Sequence, residues 1–136
     1  MANYVRTRLS IADAIGFERY LSNSGFDFNK VIPEPNHIFD CASWRIANWG
    51  TADNALRNIL RFYEGVWDVS FGTSWSAPLE VIEELSRQMP ESKIRFWCLN
   101  DTQTLGIEGY AFGGSVDLEV LDMNSHGGNT LLHLRC

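Results

Sequence analysis

Between Val66 and Leu99 the apolar spacing changes from two to about 3.6 and back to two, which restricts the chain to a fold whose strands and helices share one core. Trp67, Val69 and Phe71 alternate with Asp68 and Ser70, the pattern of a strand with one buried face. Ser76-Ala77-Pro78 then announces a helix running to Met89, with Ser76 as its expected cap. Leu79, Ile82, Leu85 and Met89 point inward, Glu80, Glu83, Glu84 and Arg87 outward, and Pro90 ends the run. From Lys93 to Leu99 the period returns to two, with Ile94, Phe96 and Cys98 on one face and Arg95 and Trp97 on the other.

The flanking segments extend this plan. Residues 4–11 alternate Val5, Thr7, Leu9 and Ile11 with Arg6, Arg8 and Ser10, and predict a strand with one dry face. Residues 12–21 show helical spacing at Ala14, Phe17 and Leu21. Two prolines, Pro33 and Pro35, make residues 26–36 an extended connector packed through Phe26, Phe28, Val31 and Ile32. Residues 37–48 fit no single pattern, Asn48 to Thr51 read as a turn, and residues 52–63 predict a helix with Leu56, Ile59, Leu60 and Tyr63 on one stripe. After the Lys93–Leu99 strand, a short loop at residues 100–103 predicts a hairpin whose second strand is 105–112. Residues 116–121 predict another strand, 125–129 a loop, and 130–136 a terminal edge strand. The sum is one α+β domain over residues 1–136, an antiparallel sheet with helices packed on one face in a split β-α-β plan, with a C-terminal β extension at about 115–136.

Charge narrows the function classes. Net charge is −6, and its acidity is C-terminal: residues 69–136 hold nine acidic and four basic side chains, against eight and seven in residues 1–68. Such a balance disfavours wrapping of a phosphate backbone and attracts basic partners. No apolar run approaches the ~18 residues of a membrane span, and Cys41, Cys98 and Cys136 form no disulfide framework, so the expected setting is the cytoplasm, without membrane contact.

Three segments carry a resemblance: Phe28-Asn29-Lys30-Val31-Ile32-Pro33, Asn48-Trp49-Gly50-Thr51, and Phe71-Gly72-Thr73-Ser74-Trp75-Ser76-Ala77-Pro78. In order and spacing they resemble the phage and plasmid proteins with a YubB-like ferredoxin-like domain, over roughly residues 1–115. Ala52-Asp53 stand where that family usually continues with lysine and tryptophan. The resemblance implies a ferredoxin-like fold and a mobile-element setting in a bacterial host, and it implies no activity.

There is no Gly-x-Ser-x-Gly elbow and no glycine loop followed by a Walker lysine, so no catalytic residues are assigned. His37 and Cys41 stand four apart, a spacing that more often marks a packed cysteine than a zinc ligand, so no metal and no cofactor is expected. The leading expectation is a non-enzymatic protein that binds a host protein or defence complex through an acidic surface, possessing no direct nucleic-acid contact, in the manner of a counter-defence (anti-CRISPR-like) inhibitor. Its contacts would be Glu80, Glu83, Glu84, Asp101, Glu108, Asp117, Glu119 and Asp122, with Trp97 as an exposed aromatic anchor. The alternative is a small-molecule or nucleotide pocket near Asn48, Trp49, Thr51, Thr73 and Trp75, which supply amides, hydroxyls and flat apolar surface. A third reading places a local nucleic-acid patch at Arg6, Arg8, Lys93, Arg95 and Trp97. A terminal edge strand could pair two copies into a homodimer.

Overall fold

The computed structural model describes residues 4–37 and 39–122. Eight strands and two α-helices follow in the order β1 (Tyr4–Ala12), β2 (Leu21–Ser22), β3 (Gly25–Phe26), α1 (Cys41–Trp49), β4 (Leu56–Tyr63), β5 (Val66–Ser74), α2 (Leu79–Gln88), β6 (Lys93–Asn100), β7 (Leu105–Phe112) and β8 (Ser115–Asp122). The sheet is antiparallel throughout, in the order β4-β5-β1-β6-β7-β8, with β2 and β3 forming a separate small ribbon. The chain is thus mixed α+β with helices over one sheet face, and the expected loop and strand at residues 125–136 lie outside the described residues.

β1 pairs along its length with β5 on one side and β6 on the other, placing Leu9 between Val69 and Phe96 and Ile11 between Trp67 and Ile94. These inward side chains meet Val81, Ile82 and Leu85 of α2 and a set of rings, Phe17, Tyr20, Phe26, Phe28 and Trp49, all buried. Thr7 sits in this core with its Oγ1 donating to Cys98 Sγ at 3.4 Å, which satisfies the hydroxyl that the alternation of β1 carries inside.

The structure corrects two sequence-based expectations. Residues 12–21 do not form a helix: Asp13 and Gly16 take φ of 55° and 87°, and only a single 3₁₀ turn, Phe17–Tyr20, follows. Left-handed backbone at those points breaks the i to i−4 ladder. Residues 52–63 are likewise not helical. Glu64 and Gly65, with φ of 51° and 82°, make a two-residue turn of the twist that hairpins favour, and they return β4 onto β5 with Tyr63 opposite Val66. A bulge at Arg57 and Asn58 then turns Asn58 inward, where its Oδ1 accepts from Phe26 N at 3.1 Å, while Asn54 Oδ1 accepts from Phe28 N at 2.9 Å. The apparent helical stripe dissolves: Leu60 faces the core, and Leu56, Ile59 and Tyr63 face the other way.

The ambiguous stretch contains α1. Asp40 caps it through Ser43 N at 3.1 Å, and hydrogen bonds from Ser43 hold the Asp40 carboxyl below its ordinary range; Gly50, at φ 85°, closes the helix. Ser76 does not cap α2. Its hydroxyl donates instead to Gly50 O at 2.6 Å, and α2 begins after Pro78 without a side-chain cap. Glu80, in the first turn of α2, packs so close to Gly50 that an added Cβ there would lie 2.6 Å from Oε1. Burial pushes the Glu80 carboxyl above its ordinary range, and Glu83 adds to the effect.

Two outcomes follow from this packing. Leu9→Ala empties a fully buried site at the centre of the sheet and is expected to cost about 2–5 kcal/mol in a denaturant titration; a loss below about 1 kcal/mol would contradict the core assignment. Because the Glu80 pKa is raised on folding, protonation favours the folded state, so the cost of its charge is felt above the folded pKa and vanishes below the unfolded one. Glu80→Gln is therefore expected to melt higher than the parent at pH 7, with the gap closing as pH falls through the carboxylate range.

Candidate functional site

The alternation that buries Leu9 and Ile11 sends Tyr4, Arg6, Arg8 and Ser10 to the opposite face of the sheet, which carries no helix among the described residues. Register places Arg61 of β4 and Lys93 and Arg95 of β6 on the same side, and Arg57 lies 5.5 Å over the Tyr4 ring. Six of the chain's 11 lysines and arginines therefore gather on one face of an acidic protein.

Four of these cations, Arg6, Arg8, Arg57 and Arg95, are held in place. Arg8 grips Asp68 through two hydrogen bonds of 3.0 and 2.9 Å, and Arg6 donates to Ser70 Oγ and to Arg57 O, both at 3.1 Å. Arg8 and Arg95 stack on Trp97 at 5.1 and 4.7 Å from its centroid, and Arg95 also lies 5.6 Å from the Tyr110 ring. The result is an alternating column, Arg8–Trp97–Arg95–Tyr110, crossing from β1 to β7. Trp97 thus lies on the expected face but not as an exposed anchor: the two guanidinium groups leave it 8% exposed. Tyr4 is accommodated by Gly72, where a Cβ would fall 1.8 Å from its hydroxyl oxygen.

The eight carboxylates expected to form one acidic surface occupy three places. Glu108, Asp117 and Glu119 lie together on the open face of β7 and β8, with Glu108 directly opposite Glu119 and Asp117 opposite Tyr110. Glu80, Glu83 and Glu84 lie in the helical layer on the other side of the sheet; Glu83 and Glu84 pair with Arg87, and Glu84 also accepts from Gln88 at 2.9 Å. Asp101, in the β6–β7 turn, and Asp122, at the end of β8 opposite Leu105, share the third place, one end of the sheet.

Asn48, Trp49, Thr51, Thr73 and Trp75 form a joint between the end of α1 and the end of β5. Trp49 Nε1 donates to Ile32 O at 2.9 Å, Thr51 Oγ1 to Ser74 O at 2.9 Å, Thr73 Oγ1 to Ser76 O at 2.7 Å, and Asn48 Nδ2 to Trp44 O at 2.9 Å. The donors of Asn48, Trp49, Thr51 and Thr73 are engaged within the fold, and of the five residues only Trp75, at φ 74°, stands exposed. His37 and Cys41 are both exposed, and no group of three His, Cys, Asp or Glu side chains is placed to hold a metal among the described residues.

Sequence reasoning grouped Arg6, Arg8, Lys93, Arg95 and Trp97 by parity, and the sheet does bring them onto one face. It missed Arg57 and Arg61, because β4 was read as a helix. It also missed Tyr110 and Phe112, whose shared parity with Glu108 in the 105–112 strand was available as a signal.

No family model and no curated protein matches the chain. A solved structure does: the crystal structure of protein api92 from Yersinia pseudotuberculosis, of family DUF1281, is similar with a TM-score of 0.60 at 14% identity, over 72% of this chain. The chain spans 39% of that protein's length, and the likeness speaks for the fold.

Proposed function

We propose that this chain is a non-enzymatic binding protein that docks a protein partner with a basic surface on the β7–β8 half of its open sheet face. The observation that carries this reading is the cross-strand pair Glu108 and Glu119, with Asp117 on the same face. Arg95, 3.6 Å from Glu108, offsets that carboxylate in part, and Asp117 and Glu119 leave the β7–β8 pair with an excess of negative charge that a cationic partner would neutralise. Asp117 and Glu119 are exposed, with Tyr110 beside them as an aromatic contact. Charge of this kind steers encounter and selects partners by complementarity. The α2 carboxylates suit the role less well, since Arg87, Gln88 and the Gly50 joint occupy them.

Connectivity supports the ferredoxin-like reading. β1 and β4 flank β5 with α1 in their connection, and β5 and β6 flank β1 with α2 in theirs, as a doubled split β-α-β unit requires; β7 and β8 extend the sheet. In the mobile-element setting that the family resemblance implies, the partner would be a host defence complex whose nucleic-acid groove is basic, with these carboxylates in place of phosphates.

The test is retention of a bacterial partner at low salt by the tagged chain, compared with Asp117→Lys/Glu119→Lys and with Glu83→Lys. The double variant is expected to lose the partner while keeping its melting temperature, and Glu83→Lys to retain it. Undiminished capture by the double variant would refute the docking site.

A further inference from the structure

Where the column of arginines and rings ends, the open face holds a depression of ≈ 410 Å³ lined by Ser10, Ala12, Lys93, Arg95, Tyr110 and Phe112. That volume lies within the range of small-ligand sites, about 300–1,000 Å³. Its walls are mostly apolar, and the polar side chains around it are two cations, Lys93 and Arg95, and two hydroxyls, Ser10 and Tyr110. We infer that this depression is a binding site for a nucleoside phosphate, with Lys93 and Arg95 holding the phosphate and Tyr110 and Phe112 contacting the base.

The guanidinium of Arg95 is fixed by stacking between Trp97 and Tyr110. Its nearest carboxylate, Glu108, stands at 3.6 Å, beyond good hydrogen-bond distance, and its buried Nε has no hydrogen-bond partner among the described residues. Rings therefore orient this cation and enclose its Nε, while 43% of the side chain stays exposed, which leaves the terminal Nη groups for an anion; a planar guanidinium matches phosphate geometry. Lys93 adds a second, exposed charge two residues away on the same face of β6. Tyr110 and Phe112 are 55% and 53% exposed, large rings that a folded chain gains nothing by showing to water. They share one face of β7, so a flat base can lie against them while its phosphate reaches β6.

The chain's negative charge does not decide against this. Glu108 is offset by Arg95, leaving Lys93 as a local excess of positive charge. Asp117 lies two strands from Arg95, about 10 Å at ordinary strand spacing, and charges that far apart are largely screened at physiological ionic strength. A free nucleotide and a single-stranded nucleic acid present the same chemistry here, and the site takes either one at a single base and phosphate.

Calorimetric titration of the full chain at physiological ionic strength with AMP, with a single-stranded hexanucleotide and with inorganic phosphate distinguishes the sources. Saturable binding of AMP as tight as that of the hexanucleotide assigns a free nucleotide; a hexanucleotide at least tenfold tighter assigns a strand. Phosphate alone is expected to bind at least tenfold more weakly than either. Lys93→Ala is expected to weaken binding about tenfold and to flatten its salt dependence, and Tyr110→Leu to weaken it about fivefold with the salt dependence unchanged. Lys93→Ala lies on the surface and leaves the docking residues Tyr110, Asp117 and Glu119 intact, so its effect on nucleotide affinity and on partner capture distinguishes failure of this site from failure of the protein-docking site. Absence of saturable binding by both nucleotide probes up to millimolar concentration, equal binding of phosphate and AMP, or unchanged affinity in both variants would overturn the site.

Discussion

The register of β1 between β5 and β6 is the constraint on which the rest of the structure depends. Strand side chains alternate with a period of two, so one setting of β1 puts Val5, Thr7, Leu9 and Ile11 under α2 and Arg6 and Arg8 on the open face. A slip by one residue would bury two arginines and expose four core positions. Burying those arginines away from Asp68 and Ser70 would cost several kcal/mol for each unpaired charge, far more than the register shift could return. Core and candidate surface are therefore specified by the same hydrogen-bonded ladder.

That ladder also produces a face with two electrostatic halves. Arginines from β1, β4 and β6 occupy the centre and one side, while carboxylates from β7 and β8 occupy the other. The central cations are locked by Asp68, Ser70 and the rings of Tyr4, Trp97 and Tyr110, which makes them a rigid platform rather than a loose basic patch. Glu108 lies beside Arg95, whereas Asp117 and Glu119 are exposed on the open face of β8. Proposed protein docking and proposed nucleoside phosphate binding draw on these different halves and meet at Tyr110.

The strongly periodic elements were legible from the sequence: β1, β5, α2, β6, β7 and β8 appear where alternation or helical spacing placed them. The misreadings have local causes. Leu56, Ile59, Leu60 and Tyr63 are spaced as a helical stripe, but the Glu64-Gly65 turn and a bulge at Arg57 convert that spacing into an edge strand. Ala14, Phe17 and Tyr20 are buried without a helix, because Asp13 and Gly16 interrupt the backbone and each side chain reaches the core by its own route. Of the candidate sites, the joint at Trp49, Thr51 and Thr73 was visible as a cluster of polar and aromatic types, but its hydrogen bonds within the fold were not.

Sequence by itself determined the fold class, the dry face of each strong strand and the acidic balance of the chain, because these depend on spacing and composition within a few residues. Tertiary structure alone decided that six cations would meet on one face, that eight carboxylates would divide among three places, and that Trp97 would be covered by guanidinium groups. The physical reason is that neighbours in a sheet come from strands far apart in the chain. Arg8 meets Asp68 60 residues away, and that partnership exists only once the strand order does.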